Sequence, residues 1–533
     1  MKRMFCGLAF ALIAAALQLA AVSPAQAYTG TVAELEGTWN FNTLSSGTDN
    51  TWGRGTITIQ ADGTYAAVGT DINGNTDDFN GTLSITSDVL TMSGAGSGNT
   101  QCQVDNGVSL LVCTQTETDS STTLIVATKQ ASSCAQTDLA GTWQYNRLSS
   151  GSKNQWLRST VTIKNSGAFS EAQLNSDGTK KTKTGTFSIS SDCTITVTSD
   201  DFSDSNRQEV LDSGKTLMAV TSTKSDGVTA QLGVMAKKAS SYSAADLPGT
   251  WEMNSLDSGA DAPRWKRGVV TVDSSGNFTL SGTESNSNTL SSSGKLSISS
   301  AGVVTCSSCE TDFKGVMDSG KTSLVITNTP DTGAYEMGIL TRNPLTISGT
   351  VATSGGTAMS GVTVTLASSS GTVLSSVTTD SSGAYSFGSL LNGKYTVKPS
   401  YTGYALSPKS QSVTLKGSNA TQNFTGTAVT ISGKVTAYTG KGTLGSLGGD
   451  DITIDLSGTA TSSAVTDTSG NFAFSELANG VYTVTPVAPV VTSQANHPTL
   501  SFVPSKFKIS ITGKSSASHT FKYKSSSSCT KCH

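Results

Sequence analysis

Histidine is almost missing from this chain: there are three in 533 residues, His497, His519 and His533. None lies between Tyr28 and Asn496, so that long stretch holds no His-based catalytic triad and no His-rich zinc site. Charge is scarce too, at 14 % of residues with a net charge of −3, and no basic stripe marks the chain for nucleic acid or an anionic membrane. The one basic stretch (Lys506, Lys508, Lys514, Lys522, Lys524, Lys531) reads as solvated surface that could steer the C-terminal tail toward an acidic redox partner. There is no G-x-S-x-G nucleophile elbow, no P-loop and no dinucleotide-binding glycine pattern. Asp and Glu are plentiful, but no pair singles itself out for glycoside chemistry. Asp71-x-Asn73-x-Asn75 opens like a calcium loop, yet Thr76 stands where glycine is required, so it is read as a polar turn. No enzyme is expected.

Long apolar runs are equally rare. Leu8–Val22 is broken only by Gln18, follows Lys2 and Arg3, and precedes the small-x-small site Ala25-Gln26-Ala27. The run is shorter than the roughly 20 residues of a membrane span, so residues 1–27 are expected to be a secretory signal peptide and Tyr28 the mature N-terminus. No membrane span is expected afterwards. The mature protein is placed outside the cytoplasm, secreted, periplasmic or on the cell surface, where disulfides can form.

What the chain does have is internal repetition. Leu35-Glu36-Gly37-Thr38-Trp39 returns as Leu139-Ala140-Gly141-Thr142-Trp143 and as Leu247-Pro248-Gly249-Thr250-Trp251. A second Trp follows with Arg two residues on: Trp52 and Arg54, Trp156 and Arg158, Trp265 and Arg267. Period-two alternation (Thr56-Ile57-Thr58-Ile59, Thr160-Val161-Thr162-Ile163) and glycine-centred turns then point to strands, and no helical period appears. Three tandem antiparallel β-barrel or sandwich repeats are therefore predicted over 28–131, 132–238 and 239–343. The opening Gly-x-Trp resembles that of lipocalin-like families, in which such a Trp plugs one barrel end. The last strands end on Lys129, Lys237 and Arg342, placed to stack over that Trp. The resemblance implies a mouth able to take an apolar ligand. Barrels this small are nevertheless expected to be filled by their own side chains.

The mature cysteines fall in pairs. Cys102 and Cys113 flank an Asn106-Gly107 turn, as a cross-hairpin disulfide would. Cys134 with Cys193 would tie the second repeat's leading segment to its barrel. Cys306-Ser307-Ser308-Cys309 has the thioredoxin spacing, but its strand-and-turn surroundings favour a structural disulfide over a redox catalyst.

From Pro344 a different repeat begins. Ile347-Ser348-Gly349-Thr350-Val351 is echoed by Ile431-Ser432-Gly433-Lys434-Val435. Thr379-Asp380-Ser381-Ser382-Gly383-Ala384-Tyr385-Ser386-Phe387 is echoed by Thr466-Asp467-Thr468-Ser469-Gly470-Asn471-Phe472-Ala473-Phe474. Asp and Gly build a turn, alternating aromatics face one sheet, and Asn392-Gly393 and Asn479-Gly480 turn into Tyr-x-Val strands. This pattern resembles the carboxypeptidase regulatory-like, or Cna-B-like, domain. The resemblance implies two Ig-like (prealbumin-like) β-sandwiches, over 344–427 and 428–524, serving as stalks, spacers or glycan-contacting modules, with Tyr401 and Tyr404 as the aromatics to consider. Lys434 and Glu476 suit the isopeptide crosslink of some such domains, but the last strand lacks its Asn or Asp, so no crosslink is expected.

The Ser-rich tail, 525–533, ends in Cys529-Thr530-Lys531-Cys532-His533, the C-x-x-C-H run of covalent c-type haem attachment. Haem c is the expected cofactor, with the two thiols as thioethers, His533 as proximal ligand and metal site, and His519 as the best sixth ligand before His497. A small Cys529–Cys532 disulfide is the alternative. The composite expectation is an all-β, non-catalytic, exported modular binding or surface protein, a rod of independently folding modules with a tethered haem. Its partners would be glycans or other surface proteins. The alternative is a monohaem electron-transfer protein with the modules as spacers and a redox partner.

Overall fold

The computed structural model describes residues 31–525 apart from 87–88, 95–99, 192, 200–204, 260–262, 310–311, 331–332, 438–451, 489–499 and 517. The signal segment, His497 and the C-x-x-C-H residues Cys529, Cys532 and His533 lie outside the described residues. The chain is all-β and divides into two units, Met1–Pro344 and Leu345–His533.

The first unit holds three closed eight-stranded barrels, each an antiparallel meander in which the last strand pairs back with the first. One turn of helix precedes each first strand (Val32–Leu35, Gln136–Leu139, Ala244–Asp246). The Trp of each Gly-Thr-Trp is fully buried beneath that turn. Its indole N–H donates to the carbonyl of Leu35, Leu139 or Leu247, at 2.8, 2.8 and 3.0 Å. Strand register does the rest: Trp39 pairs directly with Lys129, Trp143 with Lys237 and Trp251 with Arg342. The cations therefore stand over the rings, at 5.5, 5.4 and 4.3 Å from the centroids, each contact worth roughly 0.5–2 kcal/mol. Their head groups also donate to carbonyls of the helical turn, Lys129 to Glu34 and Lys237 to Asp138. One barrel end is closed three times by the same device.

The barrels are not the independent beads expected from the sequence. Leu44, Leu148 and Leu256, at one equivalent position of the first strands, join one buried cluster together with Val126, Leu232 and Met337. Both faces of the seventh strands of barrels 1 and 2 are buried, which explains the unbroken apolar runs Leu110-Leu111-Val112-Cys113 and Leu217-Met218-Ala219-Val220. The second Trp and its Arg act between barrels rather than within one. Trp52 Nε1 donates to Thr223 Oγ1 at 2.8 Å, Trp156 Nε1 to Thr329 Oγ1 at 3.0 Å, and Trp265 Nε1 to Thr116 Oγ1 at 2.9 Å. Arg158 Nε donates to Thr327 Oγ1 at 2.7 Å, and Arg267 Nε to Thr114 Oγ1 at 2.6 Å, each guanidinium stacked on its own Trp. Barrel 1 thus grips barrel 2, barrel 2 grips barrel 3, and barrel 3 grips barrel 1. It is the closed ring of a cyclic trimer written into one chain.

Among the described residues, disulfides join Cys102 to Cys113, Cys134 to Cys193 and Cys306 to Cys309. Cys102 and Cys113 are direct cross-strand partners. The hairpin between them turns differently from the Asn-Gly expectation. The left-handed residue is Val108 (φ 51°), and a buried Asp105 carboxylate accepts from the backbone of Gly107, Ser109 and Leu110. Asx capping by the aspartate, not glycine freedom, sets this turn.

The second unit contains two sandwiches of common plan. Leu345–Thr353 pairs antiparallel with Ala384–Leu390 and parallel with Phe424–Ala428; Ile431–Ala437 does the same with Asn471–Phe474 and His519–Ser525. The facing sheets run through Thr363–Ser368 with Gly393–Ser400, and Thr453–Gly458 with Gly480–Val487. The turns follow the sequence logic: Asp380 accepts from the backbone of Ser382 and Ala384, Asp467 from that of Ser469 and Asn471, and Gly383 and Gly470 take positive φ. Tyr385, Phe387 and Phe424 fill one core and Phe472, Phe474 and Phe521 the other.

Candidate functional site

Three copies of one barrel provide an internal comparison, and their lumens differ. The register aligns Thr43, Arg147 and Ser255 on the first strands, opposite Gly53, Leu157 and Lys266 on the second. Deeper in, Ala67 of barrel 1 corresponds to Glu171 and Leu280. Gly53 and Ala67 of barrel 1 therefore stand where both other barrels place bulk, and Thr43 stands where barrel 2 places Arg147.

Barrel 2 is filled. Arg207 and Glu209 form a buried ion pair, with Glu209 fully inaccessible. Ser159 Oγ donates to Glu171 Oε1 at 2.6 Å, and Arg147, Leu157 and Gln173 are buried around them. Barrel 3 is filled at its mouth by Lys266, which meets Asp257 at 3.1 Å and Glu336 at 2.9 Å. Burial, and next the Glu336 charge, push the Asp257 carboxyl up, while Lys266 is held protonated by the two carboxylates. A cavity of about 170 Å³ remains beneath, lined by Phe278, Leu280 and Leu296.

Barrel 1 is hollow. Its cavity of about 630 Å³ corrects the expectation of a side-chain-filled lumen and lies within the range of small-molecule sites. Phe41, Ile57, Phe79, Met92, Leu111 and Ile125 line it, with Phe41 and Phe79 centred 6.0 Å apart. Among the described residues six carboxylates also line it, Asp49, Asp71, Asp77, Asp78, Glu117 and Asp119, and no Lys, Arg or His does. Glu117 is oriented by Thr123 Oγ1 at 2.8 Å and Gln115 Nε2 at 2.5 Å. Asp71 accepts from the backbone of Asn73 and Asn75, so the calcium-like run is the polar turn expected, at the cavity rim. Among the described residues none of the six is in an ion pair, and no cluster of three or more His, Cys, Asp or Glu could hold a metal ion. The lipocalin-like resemblance allows a mouth for an apolar ligand, but filled lumens are expected from the sequence, and neither barrel 1 nor its acidic lining is singled out there. The signal available was the substitution of Thr43, Gly53 and Ala67 for Arg147, Leu157 and Glu171 between aligned repeats.

The residues singled out in the sequence lie elsewhere. His519 opens the last described strand, its ring 4.9 Å from that of Phe507. Its Nε2 is buried without a hydrogen-bond partner, and burial lowers its pKa. The ring would have to swing outward to offer that nitrogen to an iron. Tyr404 donates its hydroxyl to Glu476 at 2.8 Å, bridging the two sandwiches, whereas Tyr401 is 38 % exposed. Lys434 pairs with Asn471 and Thr520 along its strand.

No curated protein matches the chain. Solved structures align with it at low similarity. The Bacillus anthracis TIE protein does so at 12 % identity over 83 % of this chain and 73 % of that one, with a TM-score of 0.23. Transferrin-binding protein B from Haemophilus parasuis Hp5, a Trp-176-Ala mutant, does so at 12 % identity over 58 % and 75 %, with a TM-score of 0.22. Likeness at this level carries no functional information. Residues 346–427, the first sandwich, match the family of the carboxypeptidase regulatory-like domain.

Proposed function

We propose that this chain is an exported, modular, non-catalytic binding protein whose working site is the lumen of barrel 1. Barrels 2 and 3 hold that barrel in place, and the sandwich pair acts as a spacer. The observation that carries this reading is the divergence of the three lumens: one fold, repeated three times, is packed with ion pairs twice and left open once. Side chains that fill a lumen stabilise it, so an empty one forgoes burial that its sister copies obtain.

The test uses the intact protein. A panel of small amphiphiles sharing one aliphatic chain is screened by thermal shift and titration calorimetry, beside the variant Gly53→Leu. That substitution installs the residue of barrel 2, and its new Cβ meets only the end of the Thr43 side chain, 2.9 Å away. A panel member binding one-to-one to the wild type and not to the variant supports the proposal. Equal binding to both, or binding of no panel member, rejects it.

The C-x-x-C-H run supports a second role: a haem carried by Cys529 and Cys532 with His533 as proximal ligand, and His519 as the internal sixth ligand. Protein isolated from a host that matures c-type cytochromes would then show a pyridine haemochrome spectrum, lost on Cys529→Ala/Cys532→Ala. Plain polypeptide mass and no Soret band would remove the haem and the electron-transfer reading with it. Glycan binding by the sandwiches rests on the exposed Tyr401 ring, and a glycan screen in which Tyr401→Ala changes nothing would dispose of it.

A further inference from the structure

We infer that the ligand of barrel 1 is an organic cation: an amine or quaternary ammonium group carried on an apolar body. This rests on the reading of the lumen as a binding site and adds the chemistry of its occupant.

The apolar part follows from the wall. Phe41, Ile57, Phe79, Met92, Leu111 and Ile125 offer no hydrogen-bonding groups, so the body of the ligand must be satisfied without them. The cationic part follows from the polar lining, which is acidic without a single balancing side chain. Asp49, Asp77, Asp78 and Asp119 are exposed and Asp71 and Glu117 half-buried, so the set forms a solvated acidic rim whose summed field raises the local concentration of counter-charge. Phe41 and Phe79, tilted 59° to one another in the lining, supply aromatic surface compatible with an ammonium group as well as a carbon chain. A metal ion is disfavoured by the geometry: the carboxylates are spread around the mouth, and none of the described residues form a metal-holding cluster.

The sister barrel shows that acidity is no requirement of the fold. Asp77, opposite Gly69, corresponds to Lys181, opposite Gln173, and Phe79 corresponds to Lys183. Glu117, which follows the seventh strand Leu110–Thr116, corresponds to Lys224, which follows Leu217–Thr223. At these two positions the charge is reversed between two copies of one scaffold, while the turn that carries Asp119 keeps a carboxylate, Asp226, in barrel 2.

The experiment compares decyltrimethylammonium, decyl sulfate and decanol against the intact protein by titration calorimetry. The cation is expected to bind with the highest affinity, and binding is expected to weaken as salt rises. Asp77→Asn/Glu117→Gln, which preserves shape, is expected to weaken the cation about tenfold, the combined size of two weak charge contacts at a solvated mouth, and to leave decanol unchanged. Asp77→Lys/Glu117→Lys, copying barrel 2, is expected to reverse the preference toward decyl sulfate. Thermal unfolding of each variant reports whether the barrel is intact. Decanol or decyl sulfate binding as tightly as the cation, with Gly53→Leu abolishing it, would overturn the cation assignment while leaving the lumen a binding site. No binding by any of the three would overturn both.

Discussion

Asp105, Asp212 and Asp318 occupy the same place in three barrels, each buried in the turn before the seventh strand and capped by three backbone N–H groups. The turn needs an acceptor there, and the sequence supplies a charged one in a site closed to water. Burial pushes Asp212 and Asp318 from 3.8 up to about 6, and Asp105, itself raised by burial, adds its charge to both. A carboxyl raised in the folded state keeps its proton where the unfolded chain has lost it. Its stabilising contribution is therefore complete near pH 4 and falls away as the pH climbs to about 6, by roughly 3 kcal/mol for each of the two. The surface carboxylates lowered by turn hydrogen bonds, Asp71 and Asp226 among them, lose their contribution only below the ordinary carboxylate range, outside this window. The first unit is thus expected to melt at a higher temperature at pH 5 than at pH 7.5, and Asp318→Asn should narrow the difference while Asp212 and the raised Asp257 carboxyl keep part of it. A melting temperature that rises over that interval would show that the buried carboxylates ionise at no cost.

At the level of the element, each barrel is a sheet whose ends are fixed by different means. The Trp-and-cation plug is common to all three, but the disulfides are not equivalent. Cys134–Cys193 anchors the segment ahead of barrel 2 across a sequence separation of 59, whereas Cys306–Cys309 spans a separation of 3. By loop-closure entropy the first is worth ~4 kcal/mol and the second ~2 kcal/mol. Guanidinium unfolding of Cys134→Ala/Cys193→Ala should therefore show the larger fall in midpoint, and equal losses would point to residual structure in the unfolded chain. Legibility divides at the same level. The plug could be read from the sequence because Trp39 and Lys129 sit at opposite ends of a unit that recurs, and pairing first with last strand leaves one place for the cation. The Asp380 and Asp467 turns were legible because their hydrogen bonds close within five residues. The hollow in barrel 1 was not, because a lumen depends on eight strands whose inward residues are scattered along the chain. Nor was the role of Trp52, Trp156 and Trp265: their partners Thr223, Thr329 and Thr116 are far off in sequence and chemically unremarkable.

For the first unit as a whole, the decisive feature is that Leu44, Leu148, Leu232, Leu256 and Met337 share one buried cluster. An isolated barrel would expose its portion of that surface to water, together with an indole N–H and, in barrels 2 and 3, a guanidinium that has lost its threonine acceptors. Folding of one barrel is in this way coupled to its neighbours, and the size of the cooperative unit can be measured. Leu232→Ala removes a fully buried side chain at that junction, at a cost of about 3 kcal/mol. If the three barrels unfold together, roughly 300 residues share the loss, and the unfolding entropy of that many residues makes the melting temperature fall by about 5 °C. Were barrel 2 to melt by itself, the same loss over roughly 100 residues would lower its transition by about 14 °C and leave the other two where they were. Calorimetry of the intact chain separates the outcomes: a single barrel transition displaced by the smaller amount identifies the ring as the folding unit, and a split endotherm would make the shared core an assembly of finished parts.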